Sequence, residues 1–394
     1  MADDRLKTIG LVTTSRADFG IYLPVARELK KSNKIKFFFI VTGSHLSALY
    51  GLTIREIEKE KFKIMEKGEI LLAADSPSST VKSMALALNF FAEVFSRRKI
   101  DLLFVLGDRF EMHAAALAAL PFNIPVAHIH GGELTYGAID DSLRHSITKL
   151  SHLHFVSTGE YRNRVIQLGE NPENVIISGA PSLDNLKEIK ILSKSEIEKK
   201  LNINLKKRFF LVTLHPETVG KVDNRKNAQT MFKALREFDV QLIVTLPNAD
   251  PGNSEIREVI LSEVKSNKNL IFFENLGTQN YFSLMSLAEA VIGNSSSGII
   301  ESASFKLPAI NIGKRQEGRV RNTNVIDCDF GEQQIVDSVN FATSSEFKEK
   351  LKNCKNIYGD GNAAKIIVKF IESRLEKGIK TQKAFYDLKG DKII

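Results

Sequence analysis

The chain has 394 residues, 43% of them hydrophobic and 26% charged, the make-up of a globular protein too long for one hydrophobic core. Its formal net charge is +8, but basic and acidic residues interleave, as in Glu58–Lys61 and Glu196–Lys200, which describes a solvated surface and argues against a nucleic-acid partner. Cys328 and Cys354 form no CxxC pair, no stretch is apolar for long enough to span a bilayer, and the opening MADDRLKTIGLVTTSR lacks the apolar run of a signal peptide, so a reduced cytoplasmic protein without a membrane partner is expected.

Short β-rich runs alternate with longer amphipathic stretches. Thr8–Thr13, Phe37–Thr42, Leu102–Leu106, Pro125–His130, His154–Ser157 and Val175–Ser178 are predicted strands with helical patterns between them. After a joint near Gly179–Ser193 comes a charged helix-like segment, Ile189–Leu205, expected to lie over the seam. The series then restarts with Phe209–Thr213, Gln241–Thr245, Leu270–Phe273, Ala290–Ile292 and Pro308–Ile312. Strand–helix alternation of this kind predicts parallel sheets wrapped by helices. The predicted fold class is therefore α/β, with two Rossmann-like domains, 1–182 and 183–394, facing a central cleft. A last helical stretch, Ala363–Leu375, is free to pack back onto the first domain.

Ligands of open parallel sheets bind beyond the carboxyl ends of the strands, and the polar clusters fall at those ends. The first strand runs into TTSRADFGIYLP, setting Ser15, Arg16 and Asp18 at a strand-to-helix turn. An Arg beside a helix N-terminus suits a phosphate; the competing reading leaves Asp18 as a cap and Arg16 on the surface. No GxGxxG fingerprint is present, which counts against NAD or FAD. The run LLFVL ends in GDRFE, with Asp108 at the terminus and Arg109 beside it, where a single Asp also serves as an N-cap.

AHIHGGE sets His128 and His130 on the same side of a strand by period two, before Gly131, Gly132 and Glu133. Two imidazoles and a carboxylate suit zinc, yet Arg109 and Arg144 nearby disfavour a cation, so acid–base chemistry ranks above a metal, and no metal is assigned. One of the two histidines is free to be a hydrogen-bonded packing residue. DDSLRH opens a helix with Asp140 or Asp141 as cap and Arg144 and His145 on its first turn, serving chemistry or forming a cap and a surface ion pair.

In the second half TLHPET ends a strand with His215, and TLPNADPG at Thr245–Gly252 ends the next. GNSSSGIIES places Ser295, Ser296 and Ser297 before a helix expected to carry Glu301 in its first turn. Hydroxyls and free amides there cradle a diphosphate and a carboxylate accepts both hydroxyls of a ribose, whereas an ordinary cap needs only one Ser. Arg315, Arg319 and Arg321 in GKRQEGRVR either close over phosphates or stand as solvated charges.

Taken together, SRADFG, VTGSHLSALYG, LGDRFE, HIHGGE, DDSLRHSITKLSHLHF, HPET, GNSSSGIIE and INIGKRQEGR resemble the hydrolysing UDP-N-acetylglucosamine 2-epimerases of the sialic-acid branch, which includes bacterial capsule enzymes. The resemblance runs through nearly the whole chain. It implies a GT-B-like arrangement with UDP held mainly by the C-terminal domain, no cofactor, a homo-oligomer (dimer or dimer of dimers), and conversion of UDP-GlcNAc and water to N-acetylmannosamine and UDP. Carried over by position, Arg16, Arg109, His215, Ser295, Ser296, Glu301 and Arg315 would contact UDP. Asp108 and Asp140 match acidic catalytic positions, and His215 is a catalytic candidate as well. Where part of that family reads HIEGGE, this chain has His130, so His130 or Glu133 must be considered for the role of that carboxylate.

The implied chemistry is anti elimination of UDP to a 2-acetamidoglucal followed by hydration that inverts C2, since C2–H becomes acidic only as the C1 oxygen departs. Two alternatives stand beside UDP-GlcNAc epimerisation. One is the same reaction on UDP-2,4-diacetamido-2,4,6-trideoxyglucose, as in legionaminic-acid synthesis; the other is a GT-B-type glycosyltransferase, which the fold also supports.

Overall fold

The computed structural model describes residues 6–72, 74, 76–136, 138–220, 222–247, 250 and 252–388. Among them, strands assemble into two sheets that are parallel throughout. The first contains β1 (Lys7–Thr13), β2 (Ile35–Thr42), β3 (Ile64–Gly68), β4 (Leu102–Leu106), β5 (Val126–Ile129), β6 (Leu153–Val156) and β7 (Val175–Ile177), in the order β3-β2-β1-β4-β5-β6-β7. The second contains β8 (Phe209–Thr213), β9 (Gln241–Thr245), β10 (Leu270–Phe273), β11 (Ala290–Gly293), β12 (Ala309–Ile312) and β13 (Val325–Cys328), in the order β10-β9-β8-β11-β12-β13.

Both sheets reverse their winding beside their first strand, at β1/β4 and at β8/β11, the switch points where doubly wound sheets leave room for ligands. The central strands are apolar runs, FFLV in β8 and LLFVL in β4, because helices cover both faces of a parallel sheet. Side chains such as Leu103, Phe104, Phe210 and Val212 are fully buried, each contributing about 1.5–3 kcal/mol of transfer free energy.

By compactness the chain divides into two units. One takes the residues up to Glu133, Asp140–Asn185 and those from Tyr358 on; the other takes Leu134–Ile139 and Leu186–Ile357. The first division thus falls three residues beyond the expected 182/183, and the chain changes unit again before its last helix. That helix, Ala363–Lys377, packs against the helix Arg16–Leu29 and puts Ile367, Val368, Ile371 and Leu375 into the core of the first sheet. Asp184 starts it, its carboxylate accepting from the amides of Ala363 at 3.0 Å and Ala364 at 2.7 Å. The charged segment expected to be helical over Ile189–Leu205 forms a shorter helix, Lys194–Leu201, between a Ser193–Glu196 capping box and a left-handed Asn202.

Candidate functional site

Beyond the carboxyl ends of β4 and β5, which pair side by side, lies a cluster of charged groups. Asp108 forms an ion pair with Nη2 of Arg144. Arg144 is fully buried; its Nη1 donates to the carbonyl of Glu133 at 2.9 Å and reaches Oδ1 of Asp141 at 3.4 Å. This corrects the surface ion pair allowed for Arg144, because one buried guanidinium fastens the two strand-end loops to the helix Asp140–Leu150. Asp140 is the first residue of that helix, half-buried, and Asp141 also lies 3.5 Å from Nε2 of His145.

The loop after β5 departs from its predicted geometry. The strand ends at Ile129, and His130 adopts a left-handed φ of 66°, so His128 and His130 do not share a strand face. His128 stays inside the sheet, its Nε2 donating to the Gly107 carbonyl at 2.8 Å and its Nδ1 accepting from Thr148 Oγ1 at 3.2 Å. Burial pushes its imidazole down to about 3, the mark of a neutral packing residue. His130 instead places Nδ1 2.6 Å from Oε1 of Glu133 and 3.1 Å from Oγ of Ser157, which follows β6. Glu133 is only 1% exposed.

A second group of charges sits at β1, β2 and β4. Asp18 accepts from the amides of Thr14 at 2.8 Å and Ser15 at 2.7 Å and completes a capping box with Ser15, so it is structural. Arg16 is neither exposed nor solitary, since its Nε lies 2.8 Å from Glu56. Arg109 donates through Nε to Glu111 at 3.2 Å. Glu111 is fully buried, and burial raises its carboxyl above the usual range although Arg109 pulls the other way. His45, buried as well, spans Thr13 Oγ1 at 2.9 Å and Thr53 Oγ1 at 2.8 Å.

In the second unit the loops after β8, β11 and β12 are tied by hydrogen bonds. Asn294 clamps His215 from both sides, accepting from its amide at 2.7 Å and donating to its carbonyl at 2.9 Å. Glu217 accepts from the amides of Lys314 at 2.6 Å and Arg315 at 3.1 Å. Arg315, with its side chain 14% exposed, directs Nη1 towards the Asn294 carbonyl at 3.4 Å and Nη2 towards Asp250 at 3.5 Å. Ser295 Oγ lies 3.0 Å from Ser297 Oγ, which in turn is 2.6 Å from the Tyr281 hydroxyl. Burial pushes that phenol up to about 12, keeping it a neutral hydrogen-bonding group.

Two expectations for this half change. The helix after Ser296 is a single turn, Ser297–Ile300, so Glu301 caps its carboxyl end instead of standing in its first turn, and loop amides replace a helix dipole. Arg321 pairs with Asp327 of β13, with Nη2 2.9 Å from Oδ1, instead of standing as a lone solvated charge. In TLPNADPG, positions 248, 249 and 251 lie outside the described residues.

The structure thus brings Asp108, His130, Glu133 and Asp140 to one edge of the first sheet, Arg16 and Arg109 to the neighbouring strand ends, and His215, Ser295, Ser296, Glu301 and Arg315 to one edge of the second. Sequence reasoning passed over Ser157 and Glu217, whose signals are a lone Ser at a strand end and a polar residue inside a motif dominated by others. Among the described residues no group of three or more His, Cys, Asp or Glu side chains converges to hold a metal ion. Among them, too, no helix is long and apolar enough to cross a membrane.

Two doubly wound units with polar loops at their switch points are a framework of nucleotide-sugar enzymes, and the chain is of that class. Within it, the chain belongs to the UDP-N-acetylglucosamine 2-epimerase family, whose model matches residues 27–372. It is 42% identical to the GDP/UDP-N,N'-diacetylbacillosamine 2-epimerase (hydrolyzing) of Campylobacter jejuni, over 87% of this chain and 89% of the relative. It is 38% identical to the UDP-N,N'-diacetylbacillosamine 2-epimerase (hydrolyzing) of Legionella pneumophila, over 91% and 94% of the two chains. The polysialic acid biosynthesis protein P7 of Escherichia coli is 37% identical over 97% and 98%. The crystal structure of the Neisseria meningitidis UDP-GlcNAc 2-epimerase bound to UDP-GlcNAc shares the fold, with a TM-score of 0.80 at 22% identity over 93% of this chain and all of that one.

Proposed function

We propose that the protein is a hydrolysing 2-epimerase of a UDP-linked 2,4-diacetamido-2,4,6-trideoxyglucose, releasing UDP and the free sugar inverted at C2. The reaction reading is supported above all by one observation: a carboxylate, Asp108, and an imidazole, His130, follow adjacent strands of one sheet. The choice of sugar follows the relatives at 42% and 38% identity, both named for N,N'-diacetylbacillosamine, which is that diacetamido sugar. This reading moves ahead of UDP-GlcNAc, the first expectation from the motifs. The two substrates share their C1 and C2 chemistry and differ at C4 and C6.

In the proposed reaction a base takes the C2 proton while the C1–O bond breaks and its electron pair leaves with UDP. The 2-acetamidoglucal formed then gains hydroxide from water at C1 and a proton on the opposite face of C2. Arg16, Arg109, Arg315 and the serine loop would bind UDP and stabilise the leaving diphosphate, while Asp108, His130 and Asp140 would move the protons.

The test is a side-by-side assay of UDP-2,4-diacetamido-2,4,6-trideoxyglucose and UDP-GlcNAc in deuterated water. We expect one deuterium at C2 of the released sugar and a kcat/KM for the diacetamido substrate at least about tenfold higher, the scale on which a pocket separates small substituents. A preference for UDP-GlcNAc would overturn the substrate assignment. Release of UDP without deuterium at C2, or transfer to a sugar acceptor, would overturn the reaction.

A further inference from the structure

We infer that Glu133 and Ser157 are positioning residues that lock His130 in one tautomer, and that His130 Nε2 is the atom that removes the C2 proton. The inference rests on the epimerase reading above and assigns the base within it.

The local sequence explains the arrangement. After β5 the chain must reverse sharply to bring Glu133 back onto His130, three residues earlier. Gly132 has a φ of 77°, and a Cβ there would stand 2.5 Å from the Tyr161 carbonyl, so only glycine fits. His130 carries a left-handed φ of 66° without that freedom, and its amide is pinned to the Phe155 carbonyl on β6 at 3.0 Å. A non-glycine residue held there is strained, and such strain persists where the surroundings over-determine a side chain.

The surroundings here determine the imidazole. Nδ1 has Glu133 Oε1 at 2.6 Å and Ser157 Oγ at 3.1 Å, and Ser157 Oγ also donates to Glu133 Oε1 at 3.3 Å. An ionised carboxylate only accepts, so Nδ1 carries the hydrogen and donates it, which leaves a lone pair on Nε2. That nitrogen has no hydrogen-bond partner among the described residues, and the side chain keeps 8% exposure. Glu133 is 1% exposed, and its backbone carbonyl is held by Arg144, so the carboxylate stays against the imidazole.

The chemistry follows the logic of a carboxylate-oriented histidine. As the C1–O bond breaks, Nε2 takes the C2 proton, and the positive charge that develops on the ring is stabilised by the Glu133 carboxylate. The proton then leaves to solvent. Inversion requires the new C2 proton to arrive on the opposite face from another group, so the two protons never exchange places and the incoming one is solvent-derived. A carboxylate at position 130 could act alone, whereas a histidine needs its tautomer fixed.

The test uses the full-length enzyme with the diacetamido substrate and UDP-GlcNAc. Wild-type turnover with deuterium at C2 must come first; its absence refutes the epimerase reading and not the dyad alone. Given that turnover, we expect His130→Ala to lose about 10²–10⁴ in kcat and to regain part of it when free imidazole is added. Glu133→Gln keeps the tautomer but loses the charge; we expect kcat to fall about 10- to 100-fold and KM to change little. Ser157→Ala provides a milder variant should Glu133→Gln fold poorly, with a smaller kcat loss and the same unchanged KM. Wild-type kcat in folded Glu133→Gln and Ser157→Ala, or loss in His130→Ala that imidazole does not relieve, overturns the inference.

Discussion

Burial pushes the His128 imidazole down to about 3, with its hydrogen bond to the Gly107 carbonyl opposing that shift. In the unfolded chain the same group takes its proton near pH 6.5. Between those values the unfolded state binds a proton that the folded state refuses, so stability is full above about pH 6.5 and declines as the pH falls towards 3. His45, His152 and His154 are lowered in the same direction, burial being the leading cause in each. Urea melts between pH 7 and 4 should therefore show a steeper acid-side loss in wild type than in His128→Gln, by about 1.4 kcal/mol per pH unit, the weight of one proton. Parallel profiles would show that His128 is protonated in the folded protein.

At the scale of elements, the join between β8 and β11 leaves the least tolerance. Gly293 ends β11 in register with Thr213, at a φ of 127°, and a Cβ there would lie 1.9 Å from the Thr213 carbonyl. Gly293→Ala must push the two strands apart or change the backbone, and we expect a loss of about 4 kcal/mol or more, read as a collapse of Tm or as insoluble protein. Gly159→Ala is the control: its Cβ would meet only Ile177 Cδ1 at 3.9 Å, and its effect should stay within about 0.5 kcal/mol. A Gly293→Ala protein as stable as Gly159→Ala would refute the backbone argument.

The central strands were legible because burial on both faces writes them as apolar runs. β3 and β13 were not, since IMEKG and VIDC are short, half-exposed edges whose Lys, Glu and Asp erase the pattern. Site motifs were legible as positions, but depth was not. Arg144 looks like a surface helix residue until its guanidinium is found beneath three elements, and His130 looks like a strand residue until its φ is known. The length of the helix after Ser296 was hidden too, because GIIES continues apolar into the turn Ser302–Phe305.

For the molecule as a whole, the first unit is discontinuous in sequence. Tyr358 is fully buried with its hydroxyl 2.8 Å from that of Tyr161, and its carbonyl accepts from Ala180 at 2.7 Å, before the helix Ala363–Lys377 fills the core. A chain stopped after Ile357 loses all of these. In hydrogen-exchange measurements on that truncated chain we expect the amides of β1 and β2 to lose protection while those of β8 and β9 keep theirs. Full protection in β1 would mean that the last helix is dispensable to the first core.

Synthesis adds a consequence to that arrangement. A ribosome delivers every residue of the second unit, Leu134–Ile139 and Leu186–Ile357, before it delivers Tyr358. The unit written mostly later can therefore be finished sooner, against the usual amino-to-carboxyl order of domain folding. Until Ala363–Lys377 has been made, the helix Arg16–Leu29 lacks the helix that packs against it. The chain stopped at Ile357 reproduces that stage in the test tube, with a first unit that lacks its last helix.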